Sequence, residues 1–436
     1  MPETILETTI DNGLKVVAWG IPGVTGVGVA VNYGVGFRSE PPDRAGFAHL
    51  FEHMMFQGSR NVAAGEHFAR VQARGGTVNG NTFPDVTDYH QVVPADALEE
   101  ILVLEADRMA RLEVTERNFA TQRDVIKEEI RQQVTGRPYG GFPWIRLPAV
   151  LYRKWENTHN GYGETHDLDA ASVADCADFY RRHYAPGNAV LAVCGEVDPQ
   201  AVLDAARRIF ADVPGQPPAP LADIREPVAQ EQREGVCHDP LAPRPALAIG
   251  CRLPDAAADL DGYAAFVVLQ QLLTGGSNSR LRRAFAPLGA LVDSSVGLFG
   301  PLMVKDPDTF VIVSHHPEGM ADLVLETITG HCTELASGSA PGLGEEVERS
   351  VARAVTDLYQ NLDSLLHRVR FLARGTLLFN QPDIAERLAE AVARTGPDAV
   401  AAAAAAVAGR TGRAVLTLLP GTVPRPHRLP TQENAA

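Results

Sequence analysis

Residues 49–53 read His-Leu-Phe-Glu-His, which sets two imidazoles four positions apart with a carboxylate directly before the second. In an α-helix, positions i and i+4 lie on one face, so His49 and His53 can reach the same ion while Glu52 lies beside it. The flanking residues are apolar and favour a helix, so this polar trio would otherwise be buried without partners. The pattern predicts a zinc site with Glu52 as its base, and a catalytic zinc requires a third protein ligand elsewhere.

The motif resembles the His-x-x-Glu-His signature of the pitrilysin/insulinase family of zinc peptidases, the inverted zincins. In that family a glutamate on a later helix, in a segment similar to Arg-x-Val-x-x-x-Glu, is the third ligand. Residues 123–129 fit this segment and place Glu129 76 positions beyond His53. The resemblance therefore implies one Zn²⁺ held by His49, His53 and Glu129, with the adjacent Glu128 as the competing carboxylate on a charged helix face.

Two further segments extend the resemblance. Residues 75–82, Gly-Gly-Thr-Val-Asn-Gly-Asn-Thr, are similar to the family's substrate-binding strand, with Asn79, Gly80 and Asn81 as its binding residues. An exposed edge strand binds extended peptides through main-chain hydrogen bonds, whereas spacing alone favours a hairpin turn rich in Gly and Asn. Gln122 stands where many family members carry a glutamate, and it either assists the metal site or is a helix-surface residue.

The length of 436 residues exceeds what one compact core usually holds, and it predicts at least two domains. Residues 214–220 are rich in proline and divide the chain nearly in half. We predict a catalytic domain over residues 1–215 and a linker over 216–240. A second domain over 241–420 and a flexible tail over 421–436 complete the prediction.

The two halves read as degenerate copies, because an apolar strand, a helix and a glycine recur in the same order. When Gly46 is aligned with Gly262, apolar residues stand opposite the zinc trio, so only one metal site is expected; these residues are Ala265, Val268 and Leu269. The predicted class is α+β, with two homologous domains of antiparallel-rich sheets flanked by helices. The resemblance implies that such a pair forms half of a clamshell peptidase.

The other half of such a clamshell often contributes an Arg and a Tyr that stabilise the oxyanion, in a segment similar to Arg-x-x-x-x-Gly-Leu-x-Tyr. Here Ala286 and Val292 occupy those positions, although Arg283 serves as the arginine in another register. Loss of an oxyanion donor commonly costs about 2.7–4 kcal/mol, so the chain alone should be slow. We expect a heterodimer like mitochondrial processing peptidase and its bacterial two-chain relatives, with a homodimer as the alternative.

These features together predict a zinc endopeptidase that cleaves short or unfolded peptides in a closed chamber. Its role is either to remove leader segments from precursors or to degrade stray peptides. The alternative is a non-catalytic structural subunit of the same fold. A net charge of −15 argues against nucleic-acid binding. The absence of a signal peptide and of long apolar runs, with five scattered cysteines, predicts a cytoplasmic protein that does not contact membranes.

Overall fold

The computed structural model of the chain describes residues 4–217, 222–227 and 229–421. Within these ranges the chain forms two α+β domains, each built on one mixed sheet with helices packed against it, which confirms the predicted class. The predicted tail over 421–436 lies outside the described residues except for Gly421.

The N-terminal sheet has six strands in the order β1-β2-β6-β3-β5-β4. Its neighbouring strands are antiparallel except for β2 and β6. The strands are β1 (Thr4–Thr9), β2 (Lys15–Gly20), β3 (Val27–Tyr33), β4 (Thr77–Thr82), β5 (Thr87–Val93) and β6 (Ala189–Gly195). Strands β3 and β6 are buried along their whole length and are apolar except for Asn32, because both faces of the sheet centre are covered.

Nine helices lie in the first half of the chain, within the described residues. They are α1 (Phe47–Met54), α2 (Glu66–Ala73), α3 (Leu98–Arg111), α4 (Glu116–Ile130), α5 (Leu147–Leu151), α6 (Trp155–Thr158), α7 (Thr165–Ala170), α8 (Val173–His183) and α9 (Pro199–Ile209). Helix α4 begins with a capping box in which the Thr115 hydroxyl accepts the Asn118 N–H and the Asn118 side chain accepts the Thr115 N–H. It continues into a π-helical turn over Arg131–Thr135.

The C-terminal sheet repeats this topology without the first strand. Its order is β7-β11-β8-β10-β9, and β7 and β11 form its one parallel pair. The strands are β7 (Arg233–Asp239), β8 (Ala246–Arg252), β9 (Leu291–Val296), β10 (Thr309–His315) and β11 (Arg413–Pro420). Strand for strand this matches β2-β6-β3-β5-β4, so the two domains are structural copies, as the recurring sequence order predicted.

The second domain contributes seven further helices in the described part of the chain. They are α10 (Leu260–Thr274), α11 (Arg280–Phe285), α12 (Ala321–Ala336), α13 (Leu343–Asp363), α14 (Leu365–Arg374), α15 (Ile384–Arg394) and α16 (Pro397–Ala408). Helix α10 follows β8 as α1 follows β3, and the residues that stand opposite the zinc trio are buried in the core: Ala265, Val268 and Leu269. No helix in the described ranges has the length and apolarity that crossing a membrane requires.

The domains exchange helices. Helix α14, from the second half of the chain, packs on β3 and β6 of the first sheet, where Val369 and Leu372 join a buried cluster with Trp19. Conversely, α5 packs on the second sheet, where Leu147 and Leu151 are buried. Each sheet is therefore covered on one face by a helix from the other domain.

Candidate metal centre

Helix α1 presents the motif residues from a firmly anchored platform. It follows Gly46, whose φ of +93° is a left-handed conformation that favours glycine. The carboxylate of Glu40 accepts hydrogen bonds from the Gly46 and Ala48 N–H groups at 2.9 and 2.7 Å, and so satisfies the start of the helix. The apolar face of α1 is buried in the core, so His49, Glu52 and His53 are left on its more accessible side.

Glu129, on α4, lies with both histidines. Its Oε2 atom is 3.6 Å from His49 Nε2 and 3.5 Å from His53 Nε2. Ligand atoms placed tetrahedrally about 2.1 Å from a zinc ion are about 3.4 Å from one another, so this spacing fits a zinc site. Among the residues that the structure describes, this is the one group of three or more His, Cys, Asp or Glu residues that is close enough to share an ion.

Glu128, the competing carboxylate, does not join this group. Its two oxygens accept hydrogen bonds from Arg131 and Gln132 on the exposed side of the helix. Of the two adjacent glutamates, Glu129 therefore faces the histidines and Glu128 faces solvent.

The two histidines differ in their electrostatics: burial would lower the pKa of His53, but hydrogen bonding to Glu129 and the nearby Glu52 outweigh it and raise that pKa. Burial, followed by the nearby His53, lowers the pKa of His49 to about 4. His53 Nδ1 lies 3.2 Å from the Oε1 atom of Gln122, which is buried. An amide oxygen accepts hydrogen bonds, so this contact favours a proton on His53 Nδ1, while Nε2 faces Glu129 at 3.5 Å. Gln122 thus contacts the site and is not a surface residue.

Glu52 lies beside the ligand group. Its Oε2 atom accepts a hydrogen bond of 2.7 Å from the Thr82 hydroxyl. Burial raises the pKa of Glu52 to about 7, against the opposing effect of the Thr82 hydrogen bond. A carboxylate with a pKa near neutrality is suited to take up and release a proton at physiological pH.

Strand β4, which carries Asn79, Gly80 and Asn81, is a strand at the edge of the sheet and not a turn. It pairs with β5 along one side only, from Thr77 opposite Val92 to Thr82 opposite Thr87. Gly80 faces Glu52, because a Cβ atom there would lie 3.0 Å from Glu52 Cγ. The Asn81 side chain donates to Asp88 at 3.1 Å.

A cavity of about 310 Å³ extends from the metal group into the cleft between the two domains. Both domains contribute to it, and much of its wall is aromatic: Phe37, Phe83, Trp144, Tyr152, Tyr162 and Phe299. Arg283 is not among the lining residues. It lies on α11 with a mostly exposed side chain, 4.0 Å from Glu346.

Tyr162 belongs to this site although its sequence position gives no sign of it. Its ring stands nearly perpendicular to the His49 imidazole, with 5.2 Å between centroids. The two residues are 113 positions apart and share no helical or strand period. The glycines on either side of Tyr162 mark a turn, but nothing in the sequence connects that turn to α1.

Family models match segments in both halves of the chain. Residues 16–137 match the family described as "Insulinase (Peptidase family M16)", and residues 170–328 match the one described as "Peptidase M16 inactive domain". The zinc protease PqqE of Helicobacter pylori is 27% identical over 82% of this chain and 80% of its own length. An uncharacterized zinc protease of Mycobacterium tuberculosis is 28% identical over 63% of this chain and 62% of its own length.

Solved structures share the fold. The crystal structure of a protease from Helicobacter pylori superposes with a TM-score of 0.86 at 23% identity, covering 96% of this chain and all of that one. The periplasmic protease PqqL of Escherichia coli superposes with a TM-score of 0.73 at 18% identity, covering 97% of this chain but only 48% of its own length. The present fold thus corresponds to about half of that longer chain.

Proposed function

Because the chain belongs to the insulinase (M16) family of peptidases, we propose that it is a zinc-dependent endopeptidase whose catalytic residues are those of the candidate metal centre. The observation that carries the proposal is the convergence of His49, His53 and Glu129 on one point, with Glu52 beside them. Relatives named as zinc proteases support the choice of metal.

The residues present divide the work of peptide hydrolysis among them. His49, His53 and Glu129 would hold the zinc ion, which polarises the scissile carbonyl and makes water more acidic. Glu52 accepts a proton from the attacking water and passes it to the leaving amine. The Thr82 hydroxyl holds the Glu52 carboxylate in place, and Gln122 fixes the tautomer of His53.

The substrate we propose is an extended peptide lying along the free edge of β4. Main-chain hydrogen bonds to an edge strand bind a peptide without demanding a particular sequence, while pockets select its side chains. Asn79, Gly80 and Asn81 lie on this edge, and Asn81 also lines the cavity next to Glu52. The aromatic wall of the cavity is suited to apolar side chains of such a peptide.

A homologous partner that closes the chamber is part of the proposal. The superposition on half of a chain about twice as long supports it. No tyrosine occupies the position of Val292, and Arg283 lies away from the cavity, so this segment of the chain supplies no oxyanion donor.

The test is cleavage of a pool of unstructured peptides by the zinc-loaded chain, alone and with its nearest paralogue from the same cell. Glu52→Gln serves as the blank, because it removes the base but none of the three ligands. Cleavage only with the paralogue would establish a two-chain peptidase, and full activity of the chain alone would establish a homodimer or a monomer. Absence of zinc binding by the wild type would refute the proposed function.

A further inference from the structure

A tyrosine hydroxyl lies at the proposed metal site. Tyr162 lines the cavity together with His49, Glu52 and Glu129. Its ring stands against the His49 imidazole with 5.2 Å between centroids, and its hydroxyl interacts with the Glu129 carboxylate. Tyr162 therefore lies beside the residues that would hold the ion.

The loop that carries Tyr162 is held tightly against the start of α1. A Cβ atom on Gly163 would lie 2.2 Å from the Ala45 carbonyl oxygen, and one on Gly46 would lie 2.7 Å from the Tyr162 carbonyl oxygen. The close contact between these two glycines fixes the distance from the loop to the helix. Substitution of either glycine would push Tyr162 away from His49.

A second contact fixes the same loop. His159 Nε2 donates to the Phe37 carbonyl oxygen at 2.6 Å and lies 3.3 Å from Glu40 Oε2. Glu40 is the residue whose carboxylate accepts the N–H groups at the start of α1. The loop and the helix that carries His49 are thus anchored to one buried carboxylate, and the Tyr162 hydroxyl is held in place before substrate arrives.

We propose that Tyr162 is a catalytic residue that donates a hydrogen bond to the carbonyl oxygen of the scissile peptide as negative charge develops there. The carbonyl π electrons move onto that oxygen when water attacks the carbon, and Tyr162 keeps its proton throughout. A hydrogen bond to an oxygen that gains negative charge during the reaction strengthens as that charge develops, and it is worth more in a site that excludes water. This inference rests on the proposed function and gives the chain a donor of its own.

The test compares wild type with Tyr162→Phe, which keeps the ring against His49 and removes only the hydroxyl. We expect kcat/KM to fall by about 100-fold to 1000-fold, mainly through kcat. The affinity for a phosphinic peptide, which imitates the tetrahedral intermediate, should fall by a similar factor. Zinc affinity, measured by competition with a chelator, should stay within about threefold, whereas loss of a residue that only orients a metal ligand typically costs 10-fold to 100-fold.

The control is Tyr139→Phe, because the Tyr139 hydroxyl donates to a backbone carbonyl away from the cavity. Unchanged kcat/KM in Tyr162→Phe would overturn the inference. So would a tenfold loss of zinc affinity whose effect on activity disappears at saturating zinc, because Tyr162 would then only orient Glu129. If the wild type cleaves no peptide, the proposed function fails. The affinity for the phosphinic peptide then tests the inference by itself, and equal affinities of wild type and Tyr162→Phe would overturn the role of the hydroxyl.

Discussion

Two neighbouring glutamates on α4 offer a matched pair for testing the ligand set. Glu129 lies 3.5–3.6 Å from both histidine Nε2 atoms, whereas Glu128 pairs with Arg131 on the surface. We expect Glu129→Gln to lower zinc affinity by more than about 100-fold, because it removes a ligand charge. Glu128→Gln should bind zinc like the wild type. Chelator competition measures both, and equal losses in the two variants would contradict the assignment.

Asp308, also in the cavity wall, should make stability depend on pH. Its Oδ1 atom accepts the Thr309 N–H at 2.7 Å, but within the described residues its buried Oδ2 atom has no partner. Burial raises the pKa of Asp308 to about 7. Between the unfolded pKa of about 4 and that value, the folded state keeps a proton that the unfolded state has lost. The free energy of unfolding therefore falls as pH rises, by up to about 4 kcal/mol.

Asp308→Asn should remove this part of the pH dependence. Relative to wild type, the variant should gain stability as pH rises from about 5 to about 8, which urea unfolding at both values will measure. Asp322→Asn, at an exposed position, serves as the control and should follow the wild type. Parallel curves for wild type and Asp308→Asn would show that the carboxyl does not titrate in this range.

For individual site residues, the sequence predicts those that are related by local spacing, and it does not assign the ones that only tertiary packing brings to the site. His49, Glu52 and His53 lie within one turn of a helix, so their relation follows from the helical period. Gln122 was undecided between two roles, because its contact with His53 depends on how α4 packs against α1. Tyr162 was not predicted, since only the folded chain brings it to His49.

Among the secondary-structure elements, β4 has two proposed roles: its free edge would bind the peptide, and its central glycine makes room for the proposed base. The outer edge of the strand is free, while Gly80 leaves room for the Glu52 side chain. We expect Gly80→Ala to lower kcat by more than about tenfold, because displacing a catalytic group by about 1 Å costs up to 100-fold. Zinc affinity should stay unchanged, since the ligands lie on α1 and α4.

The control for this variant is Gly330→Ala in α12, where a Cβ atom meets nothing within 4 Å. That change should leave kcat unaltered and stabilise the helix by about 0.5–1 kcal/mol. A Gly80→Ala protein with wild-type kcat would mean that Glu52 tolerates the added methyl group.

The composition of β4 explains why sequence reasoning alone favoured a turn there. Glycine and asparagine are typical of turns and are depleted in strands. In the folded chain the pairing of all six residues with β5 outweighs that preference. The close approach of Glu52 to Gly80 accounts for a turn-like residue in this strand, and only the resemblance to a family pointed to the correct element.

At the scale of the whole molecule, a buried ion cluster joins α14 to strands β4 and β5 of the first sheet. Asp88, on β5, accepts hydrogen bonds from Arg370 at 2.9 Å and Arg374 at 3.1 Å, and it also accepts from Asn81 on β4. Asp88 and Arg374 are buried. Burial favours the neutral acid, but the hydrogen bond with His90 and the two arginines outweigh it and lower the pKa of Asp88.

Asp88→Asn should lower the free energy of unfolding by about 3–5 kcal/mol, because it leaves buried arginine charge without its partner. Adding Arg374→Met should cost less than the sum of the single changes, with a coupling of about 0.5–3 kcal/mol. Urea unfolding of the four proteins measures this cycle. Asp169→Asn, which breaks an exposed pair with Lys127, should leave stability unchanged. Additive costs would mean that the cluster does not join the two domains.

The duplication was visible in the sequence, but the exchange of helices was not. Recurring strand, helix and glycine segments predicted two similar sheets, and the strand orders match. The hydrophobic periodicity of an amphipathic helix shows that one of its faces is buried, but it does not show which sheet that face packs against. Whether α14 covers its own sheet or the other one depends on long-range packing that includes Val369 at Gly28.

That exchange has a consequence for biosynthesis. Strands β1 to β6 leave the ribosome before α14 is translated. The face of the first sheet that packs against Val369 and Leu372 is therefore exposed to solvent until α14 is made. Domains ordinarily fold one after another during translation, but here the first cannot finish before the second is nearly complete. We expect a chain stopped after residue 363 to bind a hydrophobic dye more strongly than one stopped after residue 421, and to depend on chaperones for its solubility.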